Sequence, residues 1–203
     1  MIRYMPVRDA SQDSHRIGFI RTYQEAFGGP PYFETYSDEE VTEEVWLPHV
    51  KHGIVVLAFD NDHVVGFGCA MPASKSPAEV VEFLIRHQGA ASSLPDDIDH
   101  MWYMSELGVA TSHRRRGIGY SLVKHRLAMI DQRGDTHYVF RTAANGSNSI
   151  HLYRKIGAVE LADLQDVSVS DQVKLNGSQS TERIYLHGEC AYALDELSRL
   201  AVR

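Results

Sequence analysis

Long apolar runs, cysteines and excess positive charge are all scarce in this 203-residue sequence, and each scarcity excludes a class. No apolar run approaches the ~20 residues that cross a bilayer. The N-terminal MIRYMPVRDA lacks the apolar core of a secretory signal. Cys69 and Cys190 are too few and too far apart for a disulfide framework, so a reducing, cytoplasmic setting is expected. The 20 Lys+Arg face 27 Asp+Glu, a formal net charge of -7. That balance argues against broad binding to nucleic acid or anionic membranes and leaves one local basic patch, Arg114-Arg115-Arg116. Internal repeats and low-complexity linkers are missing too. With 43% hydrophobic and 23% charged residues, the composition is that of an ordinary globular protein, and the length fits one domain over residues 1–203.

What is present reads as strands and helices in alternation. Residues 2–8 alternate apolar and polar side chains and predict a strand. Ile17, Phe19, Ile20, Tyr23 and Phe27 fall near helical spacing and predict a helix over 13–27, broken by Gly28-Gly29-Pro30-Pro31. An aromatic loop follows, Tyr32-Phe33-Glu34-Thr35-Tyr36. Ser37 with Glu40 matches a capping box and predicts a second helix to about residue 52, stopped by Gly53. Strands are predicted at 54–59 and 63–71 around Asp60-Asn61-Asp62, at 101–109, at 137–142, and as a final pair at 159–169 and 183–187. Between them, a helix from Gly117 to Gly134 puts Leu122, Val123, Leu127 and Ile130 on one face. A short helix covers 149–156, and a last one 189–202 carries Ala191, Leu194, Leu197 and Leu200, a stripe compatible with a homodimer or with packing on its own sheet. Residues 73–100 read as an insertion with a helix at 78–87, serving as lid, dimer contact or mere decoration. The order predicts an α/β fold, one mixed sheet with helices on its faces.

The chemistry concentrates where a strand ending Glu106-Leu107-Gly108-Val109 runs through Arg114-Arg115-Arg116 into Gly117-Ile118-Gly119-Tyr120-Ser121. Glycine lets a backbone approach a ligand with no Cβ in the way. The first amides of the helix have no internal partner, and with the helix dipole they form an anion site. Three arginines beside it suit a phosphate, so pyrophosphate is the expected occupant. The loop is not a Walker A sequence, since no Gly-Lys-Ser/Thr follows, nor a Gly-x-Gly-x-x-Gly fingerprint. By itself it leaves a purely structural turn open.

These residues resemble the GNAT superfamily of acyl-CoA-dependent N-acyltransferases. Arg114-Arg115-Arg116-Gly117-Ile118-Gly119 is similar to the family's Arg/Gln-x-x-Gly-x-Gly/Ala loop. Downstream, Asn148-Ser149-Ile150-His151-Leu152-Tyr153-Arg154-Lys155-Ile156-Gly157 is similar to its Asn…Leu-Tyr-x-Lys-x-Gly segment. Thr111, where proline is frequent, and Ala158, where an aromatic is common, depart from the pattern. The resemblance implies a central mixed sheet of about seven strands flanked by helices, and acetyl-CoA as acyl donor without a metal. It implies that the backbone of Leu107, Gly108 and Val109 pairs with the pantetheine arm. The pyrophosphate would then lie on Arg114, Arg115, Arg116, Gly117, Ile118, Gly119, Tyr120 and Ser121. Asn148 would contact the arm, and Tyr153 would sit near the thioester sulfur.

Acyl transfer to an amine needs a neutral nucleophile and a protonated leaving thiol. Glu106 is the candidate general base, acting directly or through a water; its plain alternative is a strand carboxylate paired with an arginine. Tyr153 is the candidate general acid, with core packing as its alternative. Backbone amides near Leu107 or Val109 would polarise the thioester carbonyl. Phe27, Tyr32 and Phe33 are the candidate acceptor-side residues, or else a hydrophobic plug. His49-x-x-His52 lacks the partners of a zinc site and reads as solvated helix histidines. Cys69 reads as a small core residue. The expected activity is acetyl transfer to a primary amine, a small molecule in preference to a protein. Alternatives are a longer-chain acyltransferase, an acyl-CoA sensor without catalysis, and an RNA-directed enzyme, which the charge of -7 disfavours.

Overall fold

A computed structural model describes residues 1–29, 32–88, 94–95, 97–144, 149–161, 165–166 and 182–200. The alternating segments become strands β1 (Ile2–Pro6), β2 (Ile54–Asp60), β3 (His63–Pro72), β4 (Met101–Val109) and β5 (His137–Ala143), followed by β6 (Val159–Glu160), β7 (Gln165–Asp166) and β8 (Glu182–Glu189). Their hydrogen-bonded order is β1-β2-β3-β4-β5-β8-β6, with β7 also on β8. β4 and β5 run parallel, whereas β1, β2 and β3 pair antiparallel, as do β5 and β8, so the sheet is mixed as expected. Among the described residues the sheet has eight strands because the expected strand at 159–169 enters as two two-residue segments, with 162–164 and 167–169 outside those residues.

The parallel β4–β5 pairing is short. Met101, Trp102 and Tyr103 pair with His137, Tyr138 and Val139. Beyond that register β4 continues through Glu106 to Val109, and β5 through Arg141 to Ala143.

Among the described residues the α-helices are α1 (Asp13–Gly28), α2 (Asp38–Glu40), α3 (Leu47–His52), α4 (Ala78–Arg86), α5 (Ile118–Asp131), α6 (Ser149–Lys155) and α7 (Cys190–Leu200). The Ser37 capping box forms, with Glu40 N–H donating to Ser37 Oγ and Ser37 N–H to the Glu40 carboxylate. The expected single helix to residue 52 is interrupted by a π-helical turn, Val41–Trp46. Pro48 has no N–H to continue the α ladder, and just before it Leu47 N–H reaches back to Thr42 O.

The chain divides into two compact units, one built from Met1–Ala70 with Glu106–Arg126, the other from Met71–Ser105 with described residues after Arg126. In the first, Phe19, Ile20, Tyr23 and Ala26 of α1 pack with Trp46, Val55, Leu57, Phe67 and Cys69. Ile17, expected on this face, is 44% exposed; the buried stripe is Phe19, Ile20, Thr22, Tyr23 and Ala26. In the second, Val80, Phe83 and Leu84 of α4 close over Met101, Tyr103, Val139 and Tyr185, and the Phe83 and Tyr185 rings stack at 4.1 Å. The helix of the expected insertion is therefore core, not decoration. The terminal helix also differs: its buried stripe is Cys190, Ala193 and Leu197, with Ala191 exposed. Cys190 N–H donates to Thr136 O, which anchors the first turn and turns positions 190, 193 and 197 inward.

Candidate active site

β4 hands the chain to a tethered loop. Ala110 N–H donates to Val65 O, and Thr111 N–H to the Glu25 carboxylate at 2.7 Å. His113 Nε2 lies 3.1 Å from Asp60 Oδ2, and this hydrogen bond holds the Asp60 carboxyl below its ordinary value. Arg114 ties the loop to α1: its Nε donates to Val109 O at 3.1 Å and its Nη2 to Ala26 O at 3.2 Å, near a helix end whose carbonyls need donors. Arg115 and Arg116 stand exposed beside the start of α5.

The backbone of this loop is unusual. Arg115 has φ +63 and Gly117 φ +77. The left-handed region costs a non-glycine residue roughly 1–2 kcal/mol, so the surroundings must hold Arg115 there. Ser121 N–H makes a first-turn bond of α5, to Gly117 O. The amides of Ile118, Gly119 and Tyr120 precede it and are the helix's outward donors. A Cβ at Gly117 or Gly119 would meet no atom within 4 Å. Both glycines thus border open space at the positive end of a 14-residue helix, flanked by two exposed guanidiniums. Those residues fit a diphosphate. Gly108 has a packing reason of its own, since a Cβ there would strike the Phe67 ring.

Glu106 sits against an aromatic cluster of its own unit. Tyr23 is 5% exposed and its hydroxyl donates to Glu106 Oε2 over a long 3.4 Å. The Tyr23 and Tyr36 rings meet edge-on at 5.3 Å, and the Tyr36 hydroxyl donates to Glu34 Oε2 at 2.7 Å. Burial pushes both phenols far above their ordinary range; the Glu106 charge adds to this for Tyr23, and the bond to Glu34 for Tyr36. Of the expected acceptor-side residues, Phe27 joins this cluster (4.6 Å from Tyr23) and Tyr32 joins through Phe27 (5.2 Å). Phe33 is 36% exposed with φ 51 and stays at the surface.

Beneath Glu106 lies a fully buried arginine. Arg126 Nη1 donates to Cys69 O at 2.6 Å and to Glu106 O at 3.0 Å, and Nε to Leu122 O at 3.3 Å. One guanidinium nitrogen thus joins a β3 carbonyl to a β4 carbonyl. Gly68 makes the room: a Cβ there would lie 2.7 Å from Nε. Sequence reasoning does not single out Arg126 or Glu34 and takes Tyr23 for core alone, whereas it reads Tyr36 with the aromatic loop as pocket lining or plug. For Arg126 a signal existed, a charged residue inside the apolar stripe of Leu122, Val123, Leu127 and Ile130.

Tyr153 belongs to the other unit. It is 2% exposed, and its ring stacks on Phe140 at 3.6 Å and lies 6.0 Å from Tyr138. Gly157, with φ +83, follows α6 as expected. Asn148 lies outside the described residues. The reading of His49 as solvated is corrected: it is 4% exposed, its Nδ1–H donates to Val45 O at 2.6 Å, and burial lowers the imidazole to about 4. His52 is exposed. Cys69 is fully buried as expected, and burial raises its thiol well above the ordinary value. Among the described residues, no cluster of His, Cys, Asp and Glu could hold a metal ion, and no helix is long and apolar enough to cross a membrane.

The profile of the acetyltransferase (GNAT) family matches residues 19–158, which takes in Glu106, the arginine–glycine loop and Tyr153. The chain belongs to that family. Solved structures of GNAT acetyltransferases share its fold. A ribosomal-protein-alanine N-acetyltransferase from Brucella melitensis is 16% identical, with 93% of this chain and 99% of that one aligned at a TM-score of 0.65. The ribosomal-protein-S18-alanine N-acetyltransferase from Escherichia coli is 12% identical over 94% of each chain, at 0.63. A chain of the NatC complex bound to Gag peptide and CoA is 14% identical over 93% of this chain and 98% of that one, at 0.58. Identities this low speak for the fold alone. No curated protein matches the sequence.

Proposed function

We propose that this GNAT protein transfers the acetyl group of acetyl-CoA directly to a primary amine, with residues 1–203 as one catalytic domain. The observation that carries the reading is the start of α5, open above Gly117 and Gly119 and flanked by exposed Arg115 and Arg116, one loop after the strand that bears Glu106. In this reading the amides of Ile118, Gly119 and Tyr120, with Arg115, Arg116 and Ser121, hold the pyrophosphate of the donor. Arg114 supports them by fixing the loop to α1. The backbone of Leu107, Gly108 and Val109 pairs with the pantetheine arm, and an amide there polarises the thioester carbonyl. Asn148 contacts the arm.

Glu106 takes the proton of the acceptor ammonium, directly or through a water, so that the neutral amine can attack the thioester carbonyl. The C–N bond forms, the C–S bond breaks, and Tyr153 gives the departing thiolate its proton. Packing against Phe140 fixes the ring that would do this. A small-molecule amine is the preferred acceptor, supported by the dense aromatic cluster of Tyr23, Phe27, Tyr32 and Tyr36 near the base. A protein N-terminus is the second reading, favoured by two structural relatives named as ribosomal-protein alanine acetyltransferases.

The test is thiol release from acetyl-CoA over a panel of diamines, amino acids and alanine-initiated peptides. Glu106→Gln should lower kcat by ~10²–10⁴ near neutral pH and leave acetyl-CoA affinity unchanged. Normal turnover of that variant would remove Glu106 as the base. A panel with no substrate, alongside intact acetyl-CoA binding, would favour a sensor.

A further inference from the structure

The peptide unit between Glu106 and Leu107 is held by a charge. Arg126 Nη1 donates to Glu106 O at 3.0 Å and to Cys69 O of β3 at 2.6 Å, while Nε reaches Leu122 O at 3.3 Å. The arginine is fully buried, and all of these groups belong to one unit. Because Nη1 also bonds β3, the Glu106 carbonyl is aimed at the β3 side of β4. A trans peptide is planar, with its C=O and its N–H on opposite edges. The Leu107 N–H is therefore aimed away from β3. It also lies beyond Tyr103, the last residue of β4 paired with β5. We infer that Arg126 is a positioning residue for acyl transfer: acting through the 106–107 peptide, its guanidinium aims the Leu107 N–H at the thioester oxygen of the donor. The inference rests on the pairing of the β4 backbone with acetyl-CoA proposed above.

The rest of the segment agrees. Ala110 N–H donates to Val65 O of β3 at 2.9 Å, and Arg114 Nε donates to Val109 O at 3.1 Å. The 109–110 peptide thus has its N–H toward β3 and its C=O away. Gly108 O lies 3.2 Å from where a Cβ on Gly66 of β3 would stand, which turns the Val109 N–H away from β3 as well. Leu107 and Val109 present their amides to the same side. Of the two, Leu107 is the one whose peptide carbonyl accepts from Arg126. A carbonyl that accepts a charge-assisted hydrogen bond polarises its own peptide, and the N–H across it becomes the stronger donor. This matters when an amine adds to the thioester. The carbonyl pair moves onto oxygen as the C–N bond forms, and a fixed N–H at that oxygen is then worth most. The pair returns to remake C=O as the C–S bond breaks, and sulfur leaves with the C–S pair. The amide keeps its hydrogen throughout. Arg126 touches no substrate in this scheme.

Two variants disturb the clamp in different ways. In Arg126→Lys the side-chain nitrogen falls one bond short of Nη1. In Gly68→Ala the guanidinium remains, but the new Cβ would lie 2.7 Å from Nε and 3.1 Å from Cζ and push it aside. Free CoA, which has no thioester carbonyl, should bind both variants as it binds wild type. Thiol-release assays with the best amine of the panel should give a kcat about tenfold lower in each, part of the ~10²–10³ that a whole oxyanion donor supplies. Infrared difference spectra of bound acetyl-CoA, ¹³C-labelled at the acetyl carbonyl, read the same contact without any acceptor. The carbonyl stretch should fall on binding to wild type and fall less in both variants. Coincident stretches for bound and free acetyl-CoA in wild type would overturn the inference and leave donor binding in place. An unchanged stretch and kcat in both variants would overturn it as well. CoA affinity lost in step with the rate would mean that Arg126 only holds the fold, and that too would overturn it. Failure of wild type to bind acetyl-CoA at all would remove the proposed function and this inference with it.

Discussion

A methyl group is the smallest probe of the arginine–glycine loop. Gly119→Ala places a Cβ in open space, in a helix where alanine is favoured over glycine by about 0.5–1 kcal/mol. Thermal stability should hold or rise while acetyl-CoA affinity falls; unchanged affinity would mean that nothing docks over Gly119. Gly117 does not serve for this, because its φ of +77 strains any side chain. His49 offers a second residue-level test. Its folded value of about 4 lies below the ~6.5 of an unfolded histidine, so the unfolded chain binds the proton that the folded protein refuses. The contribution is complete above pH ~6.5 and is lost progressively as pH falls to about 4, some ~3 kcal/mol in all. Urea unfolding at several pH values should show a flatter profile for His49→Gln over that window, and a profile parallel to wild type would contradict the assignment. The two glycines were legible in sequence because their environment is made by their immediate neighbours. The Tyr23–Glu106 contact was not, because it joins residues 83 apart in the chain.

Elements were legible to the extent that one periodicity governed them. β4 was expected at 101–109 and spans Met101–Val109, because its flanks are polar or turn-forming and its interior is apolar. In α7 Leu197 is buried as expected, but Cys190 and Ala193 are buried in place of Ala191 and Leu194, since tertiary anchoring at Cys190 as well as periodicity sets the rotation. The helix expected at 78–87 reads as part of an insertion serving as lid, dimer contact or decoration, because a short helix does not announce what covers it. Phe83→Ala tests the correction: it should cost about 3–5 kcal/mol, the loss of a buried aromatic, where an ornamental helix would lose almost nothing. The clamp from α5 makes a parallel prediction. Arg126→Met leaves the Cys69, Glu106 and Leu122 carbonyls without this donor, at about 1–3 kcal/mol for each one left unsatisfied. The urea midpoint should drop accordingly, and a neutral substitution would mean that these carbonyls find other partners.

For the molecule as a whole, charge and function pull in opposite directions. The chain carries a net charge of -7, yet its proposed donor is a polyanion, so recognition has to be local. Arg115, Arg116 and the start of α5 supply that locality; Arg114 is committed to Val109 and Ala26. Family membership was legible because two motifs stand in order, with a helix and a strand between them. The acceptor was not, because the groups around Glu106 come from α1, the loop after it and β4, whose juxtaposition no local pattern encodes. The most direct test of the whole account is calorimetric titration of the protein with acetyl-CoA, wild type beside Arg116→Ala. The account predicts saturable binding that weakens strongly in the variant. No binding at millimolar acetyl-CoA, or equal binding by both proteins, would contradict it.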